Sequence, residues 1–421
     1  MSLKDKLARL DKSHCRTAGR RETGKPPSDL SRLMPGRQIK NSAGSFWRTR
    51  CEFPLTHRHG RFAVAGLLET NLTGLNYIAK DMELPPIAPD RLLFFDTETT
   101  GLSGGVGTFA FIIGVGYFEP GRFVVDQFFL RGFDDEPGML RELATLLEQR
   151  VEQDGALISF NGKSYDLPLV HNRAVLQRVT PFPGGFNHLD LLYTARRLWK
   201  NHLSGCSLQN LESALLGVKR TGDIASHLIP ETYFRYLRTA DPRPLAPVFY
   251  HNRLDILSMV TLLTLMLELF ESDQGTDIVP LDRLAVGRLL EALDETAKAQ
   301  ALYAGGVAAA GTDEERRQML LRLAHLYKKK KEYHRACRLW EKAIRGRGFC
   351  LEPYVELAKT FEHHIRDLQR AQAYTRRALE NISILERIGG PGGCAAARQG
   401  LIRRLQRIER KLRRKTNGQA S

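Results

Sequence analysis

Four carboxylates and one histidine, carried on three well-separated stretches of the 421-residue chain, have types and spacing suited to chemistry: Asp96 with Glu98, Asp166, and His251 with Asp255. Asp96 and Glu98 end an apolar run, Phe94-Phe-Asp-Thr-Glu-Thr-Thr-Gly101, and at the strand period of two both face the same side. Like charges held together at the end of a buried strand repel each other, and a cation between them removes the cost. Asp166 closes a second strand-to-turn-to-helix junction, Ile158-Ser-Phe-Asn-Gly-Lys-Ser-Tyr-Asp166. His251 and Asp255, four apart at the start of a leucine-rich helix, share one helical face. This set suffices for two hard cations, Mg²⁺ or Mn²⁺ rather than zinc. Two such ions, about 3.5–4 Å apart, can clamp the attacking and leaving oxygens of a phosphodiester during in-line displacement. His251 is then the group to accept or orient the proton of the attacking water.

Each residue alone has an ordinary reading. Any one Asp can cap a helix, Asp166 especially, and a lone histidine is more often packed or capping than a base. Together, however, the three contexts fit one architecture. That architecture begins with three strands, over 92–97, 109–118 and 123–130, the last two joined by the turn composition Glu119-Pro-Gly-Arg122. A helix over 136–149 carries Leu140, Leu143, Leu146 and Leu147 at helical spacing. A short strand over 156–160, a helix over 167–177, a strand end at 188–192 and a helix through Trp199 follow, with helical patterns from there to Glu271. Strands with an early hairpin, then strand–helix alternation, predict an α/β fold with a mixed sheet.

Beyond Asp282 the pattern is all helical and repeats. Ala324, Ala336 and Ala343 recur as Ala358, Ala371 and Ala378, at offsets of 34, 35 and 35, accompanied by Tyr327 with Phe361 and Trp340 with Thr375. Leu290, Ala299 and Tyr303 form a weaker copy 37 residues before Tyr327, Ala336 and Trp340. A period near 34 with small residues where two helices cross is a tetratricopeptide-like pattern. The predicted organisation is a basic disordered tail over 1–45, the mixed-sheet domain with a β-like N-terminal extension over 46–275, helical repeats over 280–388, and a basic amphipathic helix over 395–417. On that helix Leu401, Leu405, Ile408 and Leu412 form an apolar stripe, and Arg and Lys fill the other faces.

The net charge of +16 sits at the ends: residues 1–50 sum to +9 and 395–421 to +8, leaving the 344 residues between them near −1. Basic ends attract polyanions through counterion release without reading sequence, and equally solubilise a chain. The terminal helix has three possible roles: nucleic-acid contact, an anionic membrane surface, or packing of its leucine stripe onto the last repeat. The last is favoured for the apolar face and the first for the basic face. No apolar stretch approaches the ~20 residues of a membrane span, and no apolar run follows the N-terminal charges as in a secretory signal. Six scattered cysteines without a C-x-x-C pair argue against a zinc ribbon or disulfide framework and for a cytoplasmic protein. The glycines after Gly101 do not form a G-x-x-x-x-G-K-[ST] phosphate loop.

The Asp96-x-Glu98, Asn161-x4-Asp166 and His251-x3-Asp255 elements resemble the three exonuclease motifs of the DEDD superfamily, built on a ribonuclease-H-like fold. The stretch from about residue 46 to 270 more closely resembles the YprB-like family of ribonuclease-H-like domains. Phe95-Asp-Thr-Glu-Thr-Thr-Gly-Leu-Ser-Gly-Gly105, Phe160-Asn-Gly-Lys-Ser-Tyr-Asp-Leu-Pro-Leu169, His188-Leu-Asp-Leu-Leu192, Arg197-Leu-Trp199 and His251-Asn-x-x-Asp255 carry that likeness. Some members of such families attach tetratricopeptide-like helices after the nuclease domain. The resemblance implies metal-dependent 3′→5′ exonuclease chemistry on nucleic acid, with Asp96, Glu98, Asp166 and Asp255 as ligands of two ions, and His251 beside them. Thr97, Gly104, Gly105, Asn161 and Lys163 are the candidate substrate contacts, and the repeats the candidate dock for a protein partner.

Two features depart from the pattern. The third motif usually has Tyr three residues, or His four residues, before its Asp, whereas here His251 has three and Tyr250 four. On a regular helix Tyr250 points about 140° away from Asp255, which favours His251; a non-helical start would favour Tyr250. The Asp223-Ile-Ala-Ser-His227 segment also lacks the Pro-Gly that the family carries after Asp-Ile. Two alternatives to the exonuclease remain open: a scaffold that binds nucleic acid and acts through its repeats, and an endonuclease on the same metals.

Overall fold

In a computed structural model of the chain, the structure describes residues 28–101, 107–151, 154–179, 186–200, 202–271, 280–387 and 394–417. The chain divides into two compact units, one ending at Glu271 and one beginning at Ser272.

The first unit is built on a seven-stranded mixed sheet of β1 (Gly36–Asn41), β2 (Gly44–Pro54), β3 (Leu92–Thr99), β4 (Ala110–Glu119), β5 (Arg122–Phe129), β6 (Ala156–Ser159) and β7 (Asn187–Asp190), in the order β1-β2-β5-β4-β3-β6-β7. The β1 to β4 strands and β5 pair antiparallel with their neighbours, whereas β6 lies parallel to β3 and β7 parallel to β6. The hairpin expected at Glu119–Arg122 is present, and Gly121 turns it with a φ of +79°, which a side chain would resist. Residues 36–41 are not tail: β1 is the edge of the sheet, pairing Ile39 with Phe46 and Lys40 with Ser45. Only one apolar residue, Ile39, breaks its polar run, so the strand had no alternating pattern to show.

Helices α1 (Glu136–Arg150), α2 (Asp166–Leu176), α3 (Leu191–Trp199), α4 (Ile229–Thr239) and α5 (Ala246–Glu271) flank the sheet. The expected strands and helices from residue 92 to 199 all occur, with ends shifted by a few residues. Leu93 and Phe95 bury one face of β3 in a core shared with Met139, Leu140, Leu143 and Leu147 of α1. A buried ion pair joins α1 to α2, because Arg173 Nε donates to Glu136 Oε1 at 2.7 Å while its guanidinium covers the Phe109 ring. This pair fixes the helix that begins with Asp166.

The second unit is all helical: α6 (Pro280–Ala292), α7 (Thr296–Ala309), α8 (Asp313–Lys329), α9 (Tyr333–Ile344), α10 (Leu351–Thr360), α11 (Leu368–Arg387) and α12 (Cys394–Asn417), each packed on the next. The six recurring alanines are buried, as are Trp340 and Thr375. Small buried side chains allow neighbouring helix backbones to approach closely. Among the described residues no helix is long and apolar enough to cross a membrane.

Helix α5 lies so close to β4 that a Cβ on Gly116 would come within 2.4 Å of Ile256 Cγ2, and the Phe123 ring of β5 would stand 2.7 Å from it. Gly116→Ala is expected to lower stability by about 1–3 kcal/mol. The check is a reduced urea midpoint at unchanged m-value.

Candidate active site

The site forms where β3 ends, and three local devices set its shape. A register shift between Glu98 and Thr99 breaks the β3–β4 pairing, a bulge of the kind that re-aims side chains beside functional sites. Beyond it, Thr100 bonds Phe109 twice, once through each backbone and once through the Thr100 hydroxyl, closing the stem of the glycine loop. Tyr165 donates its hydroxyl to the Gly101 carbonyl and lies 3.2 Å from Thr99 Oγ1, tying that stem to the segment that leads into α2. Gly104 and Gly105 lie outside the described residues.

Asp96 is oriented by a row of polar side chains that crosses the sheet. Thr49 Oγ1 donates to Gln127 Oε1 at 3.3 Å, Gln127 Nε2 to Asn252 Oδ1 at 2.8 Å, and Asn252 Nδ2 to Asp96 Oδ2 at 2.8 Å. Gly114, the cross-strand neighbour of both Asp96 and Gln127, makes room for this row, since a Cβ there would stand 2.2 Å from Asn252 Oδ1.

Asp166 sits in the first turn of α2 and accepts a hydrogen bond from the Thr97 hydroxyl. The Thr97 hydroxyl is thus bonded to Asp166. Asn161 takes a left-handed φ of +68°, which asparagine tolerates better than most residues. The backbone N–H groups of Asn161 and Lys163 donate to Asp190, which also caps α3 through Leu192 N. Asp190 therefore both caps a helix and fixes the loop before Asp166. The side chains of Asn161 and Lys163 are exposed, while Trp199 is buried.

Helix α5 is regular from Ala246, so Tyr250 and His251 lie on different faces. His251 is buried, with Nδ1 at 2.9 Å from both Asp223 oxygens and Nε2 at 3.7 Å from Asp255 Oδ2. Tyr250 instead carries the Arg253 guanidinium over its ring. With Asp223 as acceptor, the ring proton belongs on Nδ1 and the Nε2 lone pair faces the Asp255 side. Arg220 is the cation of the cluster: it forks onto Glu212, reaches Asp223 at 3.0 Å and also bonds Asp255. Glu212 is braced from behind by Ser258, which lies 2.7 Å from His59 Nε2. A cleft of about 390 Å³ opens beside Arg220 and Asp223, lined also by Gln209, Ser213 and Lys219.

The electrostatics are those of crowded, buried acid groups. Burial, then the charges of Asp255 and Asp166, push Asp96 well above the usual carboxylate range, against the Asn252 hydrogen bond. Burial, then Asp96, Asp255, Asp166 and Asp223, do the same to Glu98. Asp166 is raised to about 6 by burial, with Thr97 pulling the other way, and burial raises Asp255 despite Arg220. Burial would raise Asp223 too, but His251 and Arg220 hold it below its ordinary value.

A divalent cation fits this donor set. Glu98 Oε1 is buried without a hydrogen-bond partner among the described residues, and the acid groups repel one another, with Arg220 opposing this at Asp96 and Asp255. Among the described residues no three His, Cys, Asp or Glu side chains already stand around a common ion position. Asp96, Asp166 and Asp255 are turned instead onto Asn252, Thr97 and Arg220. Asp96, Glu98, Asp166, His251 and Asp255 thus stand near one end of the sheet, with each carboxylate but Glu98 held by a protein donor. Sequence reasoning passed over Arg220, Asp223, Gln127 and Gly114. Asp223 was visible only as the start of a loop, and Gln127 only as a polar residue in an apolar strand.

A mixed sheet of this order, with acidic residues gathered at the end of β3, defines a member of the RNase H superfamily, and the model of that superfamily matches residues 93–267. Over 404 residues, 91% of this chain and 95% of the other, the sequence is 31% identical to YprB of Bacillus subtilis (strain 168), a protein described as uncharacterized. The chain belongs to the YprB family. Its superfamily is one of nucleic-acid hydrolases that generally use divalent metals.

The raised carboxylates set a pH dependence. Asp166 moves from 3.8 when unfolded to about 6 when folded, so the folded chain holds more protons between those values. Its contribution to stability is present below pH 4 and lost as pH rises through about 6, a difference of at most about 3 kcal/mol. In EDTA, the thermal midpoint of the parent is expected to fall across this window relative to Asp166→Asn. At pH 7, Mg²⁺ should raise the parent's midpoint more than the variant's. Superimposable profiles would count against the assignment.

Proposed function

We propose that this protein hydrolyses phosphodiester bonds in nucleic acid with two divalent ions, Mg²⁺ or Mn²⁺, and that it removes nucleotides from a 3′ end. The observation that carries this reading is the convergence of Asp96, Glu98, Asp166 and Asp255, from three separated segments, into one mutually repelling cluster with Glu98 Oε1 left without a donor. Those four carboxylates are the proposed ligands. Bound there, the ions would polarise the scissile phosphate, activate water and offset charge on the leaving oxygen.

The protein's own residues supply the remainder. Asp223 holds His251 by Nδ1, so Nε2 is the atom that takes the proton of the attacking water. Asn252 and its row keep Asp96 directed to the same point. Arg220 fixes Asp255 and Asp223 together, which sets the distance between the carboxylate and the imidazole. Lys163 and Asn161, exposed at the mouth of the site, and the glycine loop with Gly104 and Gly105 are proposed to contact the substrate strand. The helical unit is read as tetratricopeptide-like repeats that dock a protein partner, and the compartment as the cytoplasm.

End-labelled single- and double-stranded DNA and RNA, incubated with Mg²⁺, Mn²⁺ or EDTA, test the reading. Asp96→Ala should abolish cleavage, and parental activity in that variant would overturn the site. A ladder shrinking from the 3′ end is the expected product, whereas discrete internal fragments would make the enzyme an endonuclease.

His251→Ala is expected to lower kcat by about 10²–10⁴-fold, with Tyr250→Phe close to the parent. Asp223→Asn should lower kcat by about 10–100-fold while Asp96→Ala remains the null reference. The reverse order for His251 and Tyr250 in a pH–rate series would reassign the base.

A further inference from the structure

Helix α12 carries nine cations (Arg398, Arg403, Arg404, Arg407, Arg410, Lys411, Arg413, Arg414 and Lys415) against one acid, Glu409. At about 100° per residue these sort into separate stripes around the helix axis. Leu401 and Ile408 are buried, and the apolar stripe packs onto the repeats: Leu401 joins Tyr354, Ala378 and Ile382, and Ile408 and Leu412 join Ala371 and Tyr374. On one flank, Arg404, Arg407 and Lys411 converge at 2.7–2.9 Å on Glu362, whose side chain is fully buried. Burial would raise Glu362, yet Arg407, Lys411 and the neighbouring His363 bring it down to about 2. Glu409 is spent on Arg376 of α11.

Directly opposite the apolar stripe lie Arg403, Arg410 and Arg414, within a band of about 40°, with Arg413 beside them. All four are exposed, and none has a carboxylate partner among the described residues. A face that only solubilises a helix mixes both signs, whereas this one carries a single sign.

We infer that the Arg403–Arg410–Arg414 face of α12 is a docking surface for the sugar-phosphate backbone of a nucleic acid strand. The band is about 16 Å long at 1.5 Å per residue. With a charge roughly every 3.4 Å along a strand, that length faces about five phosphates. Guanidinium groups match phosphate oxygens in charge and in planar two-point geometry. An anionic bilayer is the weaker occupant, because a membrane-surface helix needs its apolar face free and here that face is buried in the protein. The inference rests on nucleic acid being the ligand of this chain, and not on how a bond is cleaved.

The test uses the full-length protein in EDTA, where cleavage is silent, and a fluorescein-labelled single-stranded oligonucleotide followed by anisotropy. The variant is Arg403→Gln, Arg410→Gln, Arg413→Gln and Arg414→Gln combined, which leaves the Glu362 cluster and the apolar seam intact. A control removes equal charge where each cation faces a carboxylate: Lys298→Gln, Arg316→Gln, Lys329→Gln and Arg335→Gln. The expected result is affinity reduced about tenfold or more at low salt in the variant alone, with the slope of log K against log salt falling by up to about 3. An unchanged affinity and slope would overturn the proposal, as would an equal loss in the control. Loss of binding to phosphatidylserine-containing vesicles with oligonucleotide binding retained would assign the face to a membrane instead. The variant should still cleave a dinucleotide like the parent. Failure of Asp96→Ala to abolish cleavage would strike the nuclease reading and leave this result standing.

Discussion

The site depends on an electrostatic conflict that the fold is built to hold. Placing several carboxylates together at a buried strand end costs several kcal/mol per unpaired charge, so every one of them must find a compensating donor or remain partly protonated. The chain uses both solutions. Asn252 serves Asp96, Thr97 serves Asp166 and Arg220 serves Asp255, while burial and repulsion raise the group as a whole. Arg220 has the widest reach, since one guanidinium holds Glu212, Asp223 and Asp255 and is kept charged by them. Without it, three acids would face each other across the start of α5.

Holding that conflict requires rigidity in the sheet, and small residues supply it. Gly114 and Gly116 are spaced two apart on β4, so both present the face covered by α5, one admitting Asn252 and the other Ile256. The helix that carries His251, Asn252 and Asp255 is therefore seated by two missing side chains on the neighbouring strand. The polar row from Thr49 through Gln127 to Asn252 then locks its rotation, because a turned helix would leave a buried amide unsatisfied. Position and charge are solved by the same contacts.

Much of this was legible in the amino-acid order. The Asp96-x-Glu98 spacing, the hairpin at Glu119–Arg122 and the His251–Asp255 pair are local signals, and local periodicity reports them directly. The regular start of α5 places His251, and not Tyr250, on the face of Asp255, as helical spacing predicts. Long-range partnerships were not legible. Arg220 lies 35 residues from Asp255, and Gln127 lies 125 from Asn252, so nothing in their neighbourhoods marks them as partners. Thr97 illustrates the same limit, since nothing near it in the sequence marks Asp166, 69 residues away, as the partner of its hydroxyl. The polar edge strand β1 was hidden for a different reason: an edge has one partner and little core, so it needs no apolar alternation.

The helical unit shows how a single buried acid can organise a basic surface. Glu362 follows α10 in a short, widened helical turn, and it receives Arg404, Arg407 and Lys411 from one face of α12. Three cations on one carboxylate overcompensate it, so the contact fastens the helix without neutralising it. The apolar seam of Leu401, Ile408 and Leu412 fixes the same rotation independently. With two adjoining faces committed to the protein, the remaining arginines have one direction left, outward, and their charge is uncancelled there. A helix anchored in this way keeps its positive face ordered before any partner arrives, which lowers the entropy cost of meeting a polyanion.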